Sequence, residues 1–138
     1  LMLVMGGSVY REKKLVTRRP RVTFSSDGSA WSDLHPVLSD GHWLWRVTWH
    51  QGRAYGIGYG CHGKRLIRLY RSEDGRRFDP LVDSLLEEGY PNETSMVFAG
   101  DTAYCLLRRD GEGATKFVTV NVTGAANDED ARKVALSL

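Results

Sequence analysis

Two short stretches decide the fold: Ser25-Ser26-Asp27-Gly28-Ser29-Ala30-Trp31 and Ser72-Glu73-Asp74-Gly75-Arg76-Arg77-Phe78. Each combines a serine, an aspartate and a glycine, and each has an aromatic residue three positions after the glycine. An aspartate side chain accepts hydrogen bonds from backbone N–H groups of its own turn, and glycine adopts the positive φ that such turns need. Both stretches are therefore predicted to be tight hairpin turns.

The two motifs form a repeat. Their first serines, Ser25 and Ser72, lie 47 residues apart, which is close to the length of one four-stranded β-propeller blade. Runs rich in β-branched and aromatic residues flank the motifs and are bounded by turn pairs such as Gln51-Gly52 and Gly100-Asp101. The sequence predicts an all-β protein of about two and a half to three four-stranded antiparallel blades.

The predicted strands are labelled A to D from the propeller axis outwards. A first, incomplete blade (residues 1–40) has strands B at 1–7, C at 21–25 and D at 31–38. The complete second blade (41–90) has its four strands at 43–50, 53–60, 65–71 and 78–82. The third blade (91–124) has strands at 94–99, 102–108 and 116–122 and lacks the turn motif. Two stretches look helical, 82–88 and 127–138, and residues 125–138 form a polar C-terminal tail.

Antiparallel strands sort the connections onto two faces. A–B and C–D turns share one face, which holds both motifs, and B–C and D–A connections share the other. The second face carries the longer loops and many charged groups, so it is predicted to be the binding face. Its residues are Ser8, Tyr10, Arg11, Glu12, Arg18, Trp43, Arg46, Cys61, His62, Asn92, Glu93, Arg108 and Arg109.

Two such turns at blade spacing resemble the Asp-boxes of the sialidase (neuraminidase) superfamily, also called BNR-repeat proteins. The resemblance covers roughly residues 1–120. It implies blades of a six-bladed propeller with the active site opposite the Asp-boxes, which are themselves structural. The Asp-box residues are Ser25, Asp27, Gly28 and Trp31 in the first copy and Ser72, Asp74, Gly75 and Phe78 in the second.

The resemblance also implies site residues. The family combines an arginine triad, a tyrosine nucleophile with a partner glutamate, and an aspartate acid/base. Asn92-Glu93-Thr94 and the later Arg108-Arg109 resemble the stretch that carries the partner glutamate and a triad arginine. The resemblance therefore implies that Glu93 is catalytic and that Arg108 or Arg109 binds the substrate. A fixed arginine can bind a substrate carboxylate through two parallel hydrogen bonds. The alternative is a surface ion pair across a hairpin.

The first blade departs from the family pattern. No aspartate precedes Asp27, and Glu12 is the only carboxylate in that stretch. Either Glu12 serves as the catalytic acid/base, or that group is missing. Arg11 makes the same loop suited to an anionic or polyhydroxyl ligand, unless it is a solvated surface arginine. Arg46, on a predicted inner strand, is a further substrate-binding candidate. The tyrosine nucleophile and the remaining arginine would belong to blades beyond this chain.

The resemblance predicts a sialidase-like, glycan-directed protein that hydrolyses glycosides only if a complete ring is assembled, so enzyme activity is left open. The alternative is a non-catalytic propeller scaffold or carbohydrate-binding module. About three blades leave two open flanks, and open flanks are association sites. The chain is therefore expected to be a homo-oligomer, such as a dimer that closes the ring, or a fragment of a longer chain.

Composition argues against several other classes. The 19 basic and 17 acidic residues are spread along the chain with a net charge of +2, which favours neither a nucleic acid nor a membrane partner. Cys61 and Cys105 lack metal-ligand spacing and are expected to be free cysteines. No metal and no cofactor are predicted, and no compartment is assigned. The apolar residues 1–5 are too short for a membrane span and are predicted to be a strand.

Overall fold

The computed structural model describes residues 1–63 and 65–110, which form strands paired in antiparallel fashion and no helix. The strands are β1 (Met2–Met5), β2 (Ser8–Arg11), β3 (Lys14–Arg18), β4 (Arg21–Phe24), β5 (His35–Pro36), β6 (His42–His50), β7 (Arg53–Gly60), β8 (Ile67–Ser72), β9 (Asp79–Leu86), β10 (Pro91–Ala99) and β11 (Thr102–Arg109). The all-β prediction is confirmed. The strand predicted at 116–122, the helix predicted at 127–138 and the polar tail lie outside the described residues.

The central sheet has four strands in the order β6-β7-β8-β9, so each strand pairs with the next one along the chain. β7 has the predicted bounds, Arg53–Gly60, and β6 begins one residue before the predicted strand. The β6–β7 connection is the two-residue turn Gln51-Gly52, in which φ is 47° and 76°. Positive φ at both positions defines a turn whose twist matches that of the flanking strands.

β9 corrects one prediction. It continues to Leu86, so the helix predicted over 82–88 is wrong. Val82 pairs with Leu69, and Leu86 pairs with Ile67 of the buried strand β8. Cross-strand pairs of this kind stabilise a sheet, whereas a helix of about two turns is not stable without tertiary contacts.

The N-terminal region forms two small sheets. β1, β4 and β5 make a three-stranded sheet in the order β1-β4-β5, which confirms the strand predicted at the start of the chain. The strand predicted over 31–38 is only the two-residue β5, His35–Pro36, because proline has no N–H to extend a ladder. The loop predicted at 8–20 contains the hairpin β2–β3, whose turn residues Glu12 and Lys13 have φ of 47° and 66°.

The central sheet is buried on both faces. On one face, Ile57 packs in a cluster with Met96 and Leu107 of the β10–β11 hairpin. On the other, Tyr70 packs in a cluster with Val22 of the β1-β4-β5 sheet. Side chains alternate between the two faces of a strand, so the central sheet contributes to two cores. The three sheets are therefore stacked in chain order.

The second Asp-box is held by its own side chains. The Ser72 hydroxyl accepts a hydrogen bond from the Gly75 N–H (2.8 Å) and donates one to Asp74 Oδ1 (3.2 Å). The same Asp74 oxygen accepts from the backbone N–H groups of Arg76 (2.8 Å) and Arg77 (3.2 Å). These bonds close the turn between β8 and β9 without any outside partner.

The first Asp-box, between β4 and β5, repeats this pattern. Asp27 Oδ1 accepts from the backbone N–H groups of Ser29 (2.8 Å) and Ala30 (3.1 Å). The two aromatic residues differ, because Phe78 of the second box is buried in the core whereas Trp31 of the first box is 42% exposed. Trp31 Nε1 donates to the carbonyl oxygen of Gly28 (3.1 Å) and so caps its own turn.

The Asp-boxes predict how stability depends on pH. Backbone N–H groups lower the pKa of Asp27 and of Asp74 below the ordinary aspartate value. A lowered folded-state pKa stabilises the fold above the unfolded pKa of about 3.9, and this stabilisation is lost as pH falls through the folded value. We expect the double variant Asp27→Asn, Asp74→Asn to be less stable than the wild type at pH 7 and to lose less stability between pH 4 and pH 2.

Urea unfolding at pH 7, 4 and 2 measures this difference. Asp33→Asn is the matched control, because Asp33 makes no side-chain hydrogen bond or ion pair with the described residues. Equal acid sensitivity of the double variant and the wild type would contradict the assigned role of the two carboxylates.

Candidate functional site

A cleft of about 300 Å³ opens where the central sheet meets the β10–β11 hairpin and the end of β3. We term it the bulge cleft. Its lining residues are Arg18, Trp43, Tyr59, Gly60, Cys61, Arg65, Asn92, Glu93, Arg108 and Asp110. The cleft lies at the end of β7, whereas the second Asp-box follows Ser72, which pairs with Ala54 at the start of β7. The cleft and this Asp-box are therefore at opposite ends of the central sheet.

A β-bulge shapes one wall of the cleft. The register of β10 against β11 shifts between Pro91 and Thr94, which places Asn92 and Glu93 in the irregular segment. Bulges redirect side chains and are common beside functional sites. The buried Asn92 holds the segment in place: its Oδ1 accepts from the Glu93 N–H (2.7 Å), and its Nδ2 donates to Asp110 Oδ2 (2.6 Å).

Arg108 lies between two carboxylates. Its Nη1 donates to Glu93 Oε2 (2.8 Å) and its Nε donates to Asp110 Oδ1 (2.9 Å). Glu93 and then Asp110 raise the pKa of the Arg108 guanidinium. The Arg108 side chain is 55% exposed, so solvent screens both ion pairs. The three groups together leave one negative charge on this wall.

The cleft lining also carries positive charge. Arg18 and Arg65 form no ion pair with a carboxylate among residues 1–63 and 65–110. Both guanidinium groups lie close enough to Cys61 to influence its thiol. Burial raises the pKa of the thiol, and the two positive charges lower it by less than burial raises it. Cys61 is therefore a neutral thiol at neutral pH, beside two uncompensated positive charges. The Arg65 guanidinium also lies 5.8 Å from the centre of the Tyr90 ring, within cation–π range.

Aromatic side chains complete the cleft. Burial raises the pKa of Tyr59 to about 12, and Tyr59 is therefore a neutral hydroxyl at physiological pH. The Trp43 ring occupies the space that a side chain at position 6 would need, so glycine at this position leaves room for the ring. The site thus combines a flat aromatic surface, a neutral hydroxyl and charges of both signs.

The structure brings together Glu93 and Arg108, which were predicted as site residues. It separates them from Arg109, whose side chain packs against Gly89 and whose Nε is buried without a hydrogen-bond partner in the described part of the chain. Arg109 does not line the bulge cleft.

The other predicted site residues also lie away from the cleft lining. Glu12 is in the turn of the β2–β3 hairpin, and Arg11 ends the first strand of that hairpin. Arg46 is exposed on β6, where the register against β7 shifts between Leu44 and Val47. Among the described residues, neither Glu12 nor Arg46 makes a hydrogen bond or ion pair with Glu93.

Sequence reasoning missed four lining residues: Tyr59, Gly60, Arg65 and Asp110. Asp110 directly follows β11 and Arg65 precedes β8, so both lie at strand ends on the predicted binding face. Their positions at strand ends on this face could have identified them as site residues from the sequence. Tyr59 lies two residues after the buried Ile57 on β7 and shares its face of the sheet, and its hydroxyl could have been expected near the same end.

Two further features bear on chemistry. The described residues contain no group of three or more histidine, cysteine, aspartate or glutamate side chains able to hold a metal ion, and no helix there could span a membrane. Cys61 and Cys105 are both free, as predicted. Burial raises the pKa of Cys105 to about 11, which makes it an inert thiol at neutral pH.

Comparison with known proteins gives local matches. The chain is 66% identical over 38 residues to the mitochondrial arginine biosynthesis bifunctional protein ArgJ of Postia placenta, which is 28% of this chain and 8% of that relative. It is 40% identical over 70 residues to ArgJ of Cryptococcus neoformans (46% and 14%) and 67% identical over 30 residues to ArgJ of Ruegeria pomeroyi (22% and 7%). The chain thus spans 14% or less of the length of these relatives. No family model and no solved structure matches it.

These matches correct the predicted resemblance. The relatives are named for arginine biosynthesis and not for sialidase activity, so the sialidase, BNR-repeat and glycoside hydrolase predictions are wrong, as is the predicted carbohydrate-directed function. The physical reason lies in the motif. Serine, aspartate and glycine satisfy the needs of one tight turn, and a turn that is stabilised locally carries no information about function.

Proposed function

We propose that residues 1–110 form a binding module that holds a small anionic ligand in the bulge cleft. The single observation that carries this proposal is the pair of uncompensated guanidinium groups, Arg18 and Arg65, in the cleft lining. Guanidinium groups recognise carboxylates and phosphates through paired, charge-assisted hydrogen bonds. A cavity of about 300 Å³ suits a small molecule, being at the lower end of the usual range for ligand pockets.

The neighbouring groups support the same function. Arg108 is already engaged by Glu93 and Asp110, so it contributes less to anion binding than the other two arginines. Asn92 is buried and braces the bulge. A site whose side chains are held by other residues before the ligand arrives loses less entropy on binding.

Removal of the two free arginines is the test. We expect the double variant Arg18→Gln, Arg65→Gln to bind acetate and inorganic phosphate at least tenfold more weakly than the wild type. A tenfold loss corresponds to about 1.4 kcal/mol, which is less than the usual value of one charge-assisted hydrogen bond. Titration of the full chain, followed by NMR chemical shifts, measures the affinities.

The matched control is Arg76→Gln, Arg77→Gln, which removes the same charge at the second Asp-box, remote from the cleft. Binding that weakens equally in both double variants would show non-specific attraction and would contradict the proposal. Salt supplies a second criterion, because binding to exposed guanidinium groups weakens as ionic strength rises.

For the fold, we propose that the three stacked sheets are successive blades of a β-propeller. The sequential order β6-β7-β8-β9 is the order within a blade. β6 and β10, which would be neighbouring inner strands, touch through the Thr48 hydroxyl, which donates to the Met96 carbonyl oxygen (2.6 Å). Two open flanks then call for a second copy of the chain, or further chain, to close the ring.

A part in arginine biosynthesis is the second candidate function. The observation that favours it is the 66% identity over 38 residues to an arginine biosynthesis bifunctional protein. Expression of the full chain in a host lacking its own protein of this kind, followed by growth without arginine, tests it. Restored growth would favour this candidate over a binding module alone.

A further inference from the structure

The bulge cleft is lined by charges of both signs. Arg18 and Arg65 act on Cys61, while Glu93 and Asp110 lie around Arg108. Tyr59 lines the same cleft, and the charges of Glu93, Arg18 and Arg108 act on its hydroxyl. A purely anionic ligand would be attracted by Arg18 and Arg65 and repelled by Glu93 and Asp110.

Two acceptor atoms in the cleft lining are available to a ligand. Arg108 donates a hydrogen bond to Glu93 Oε2, whereas Glu93 Oε1 accepts no hydrogen bond from residues 1–63 or 65–110. The Tyr59 hydroxyl likewise has no hydrogen-bond partner in that part of the chain. An ammonium group has three donors and no acceptor, so it matches a carboxylate oxygen beside a neutral hydroxyl.

Trp43 supports the same ligand class. Its ring lines the cleft together with Tyr59, and aromatic faces attract cations. Because the cavity measures only about 300 Å³, an ammonium group at Glu93 and an anionic group at Arg18 or Arg65 would have to belong to one small molecule.

We propose that the ligand of the bulge cleft is a zwitterion, a free amino acid whose carboxylate binds Arg18 and Arg65 and whose ammonium group binds Glu93. This inference rests on the proposed anion-binding function and deepens it. The ammonium group adds selectivity, because the negative charge around Glu93 disfavours ligands that carry only negative charge.

The experiment compares four probes on the full chain by isothermal titration: alanine, γ-aminobutyrate, N-acetylalanine and propionate. Acetylation removes the positive charge and keeps the carboxylate. We expect alanine or γ-aminobutyrate to bind at least tenfold more tightly than N-acetylalanine and propionate. The two amino acids differ in the distance between their charged groups. The one that binds more tightly therefore reports the spacing between the arginine pair and Glu93.

Variants separate this inference from the function on which it rests. Glu93→Gln should remove the preference for the free amino acid over N-acetylalanine, whereas Glu73→Gln, a control at the second Asp-box, should keep the preference. If N-acetylalanine and propionate bind as tightly as the amino acids to the wild type, the zwitterion is ruled out and the anion site stands. If no probe binds, the anion site falls as well.

Discussion

Ile57→Ala is expected to destabilise the protein by about 2–5 kcal/mol, the range for truncating a large aliphatic side chain in a packed core. Ile57 is 1% exposed and lies at the centre of the central sheet. Its cluster includes Leu69 on β8 and Met96 on β10. The ladders on both sides of β7 hold its backbone in place, so the surrounding strands cannot collapse into the cavity that alanine would leave.

Urea unfolding of the full chain measures this loss. A domain of this size is stable by only about 5–15 kcal/mol, so the variant should unfold at a clearly lower urea concentration with an unchanged slope. Val97→Ala is the control, because Val97 on β10 is 59% exposed and a surface truncation changes stability by roughly 0.5 kcal/mol or less. Equal effects of the two variants would mean that β10–β11 does not pack on the central sheet.

The same variant affects the bulge cleft. Glu93 and Arg108 belong to the β10–β11 hairpin, while Tyr59 and Cys61 follow the central sheet. The core around Ile57 holds these two groups of residues in register. Weakened packing there should therefore weaken anion binding as well, even though Ile57 does not line the cleft.

Local turn chemistry made much of the fold predictable. The pairs Gln51-Gly52 and Asp74-Gly75 mark hairpins by themselves, and the strands between them follow from β-branched and aromatic residues. Residues 82–88 misled because Val82, Leu85 and Leu86 stand at helical spacing among polar residues, and so short a pattern fits a helix as well as a strand. Only pairing with β8, a long-range contact, decides between the two.

The candidate site was less predictable for a related reason. The faces of an antiparallel sheet follow from strand order, and that order placed Glu93 and Arg108 together. The bulge between Pro91 and Thr94 depends on how Asn92 bonds with Asp110 across the hairpin, which no local pattern encodes. Arg46 and Glu12 followed from the predicted faces and from a resemblance that the relatives do not support, and neither residue lines the cleft.

Gly58→Ala is expected to destabilise the protein by about 1–3 kcal/mol through overpacking. A Cβ atom at position 58 would lie 2.8 Å from Tyr70 Cε2 and 3.0 Å from Leu38 Cδ1. Gly58 is absent from the positions with positive φ, so the cost is one of space and not of backbone conformation. At an open strand position, the same change would stabilise by roughly 0.5–1 kcal/mol, because glycine loses more backbone entropy on folding than alanine.

The sign of the effect therefore reports how tightly Tyr70 and Leu38 pack over Gly58. Tyr70 is the main obstacle, so Tyr70→Leu should make room for the new methyl group. We expect the double variant Gly58→Ala, Tyr70→Leu to be more stable than the sum of the two single changes predicts, with a coupling of about 1 kcal/mol. Urea unfolding of the four proteins in this cycle gives the coupling. Stabilisation by Gly58→Ala alone, or no coupling, would show that the Tyr70 ring does not pack tightly over Gly58.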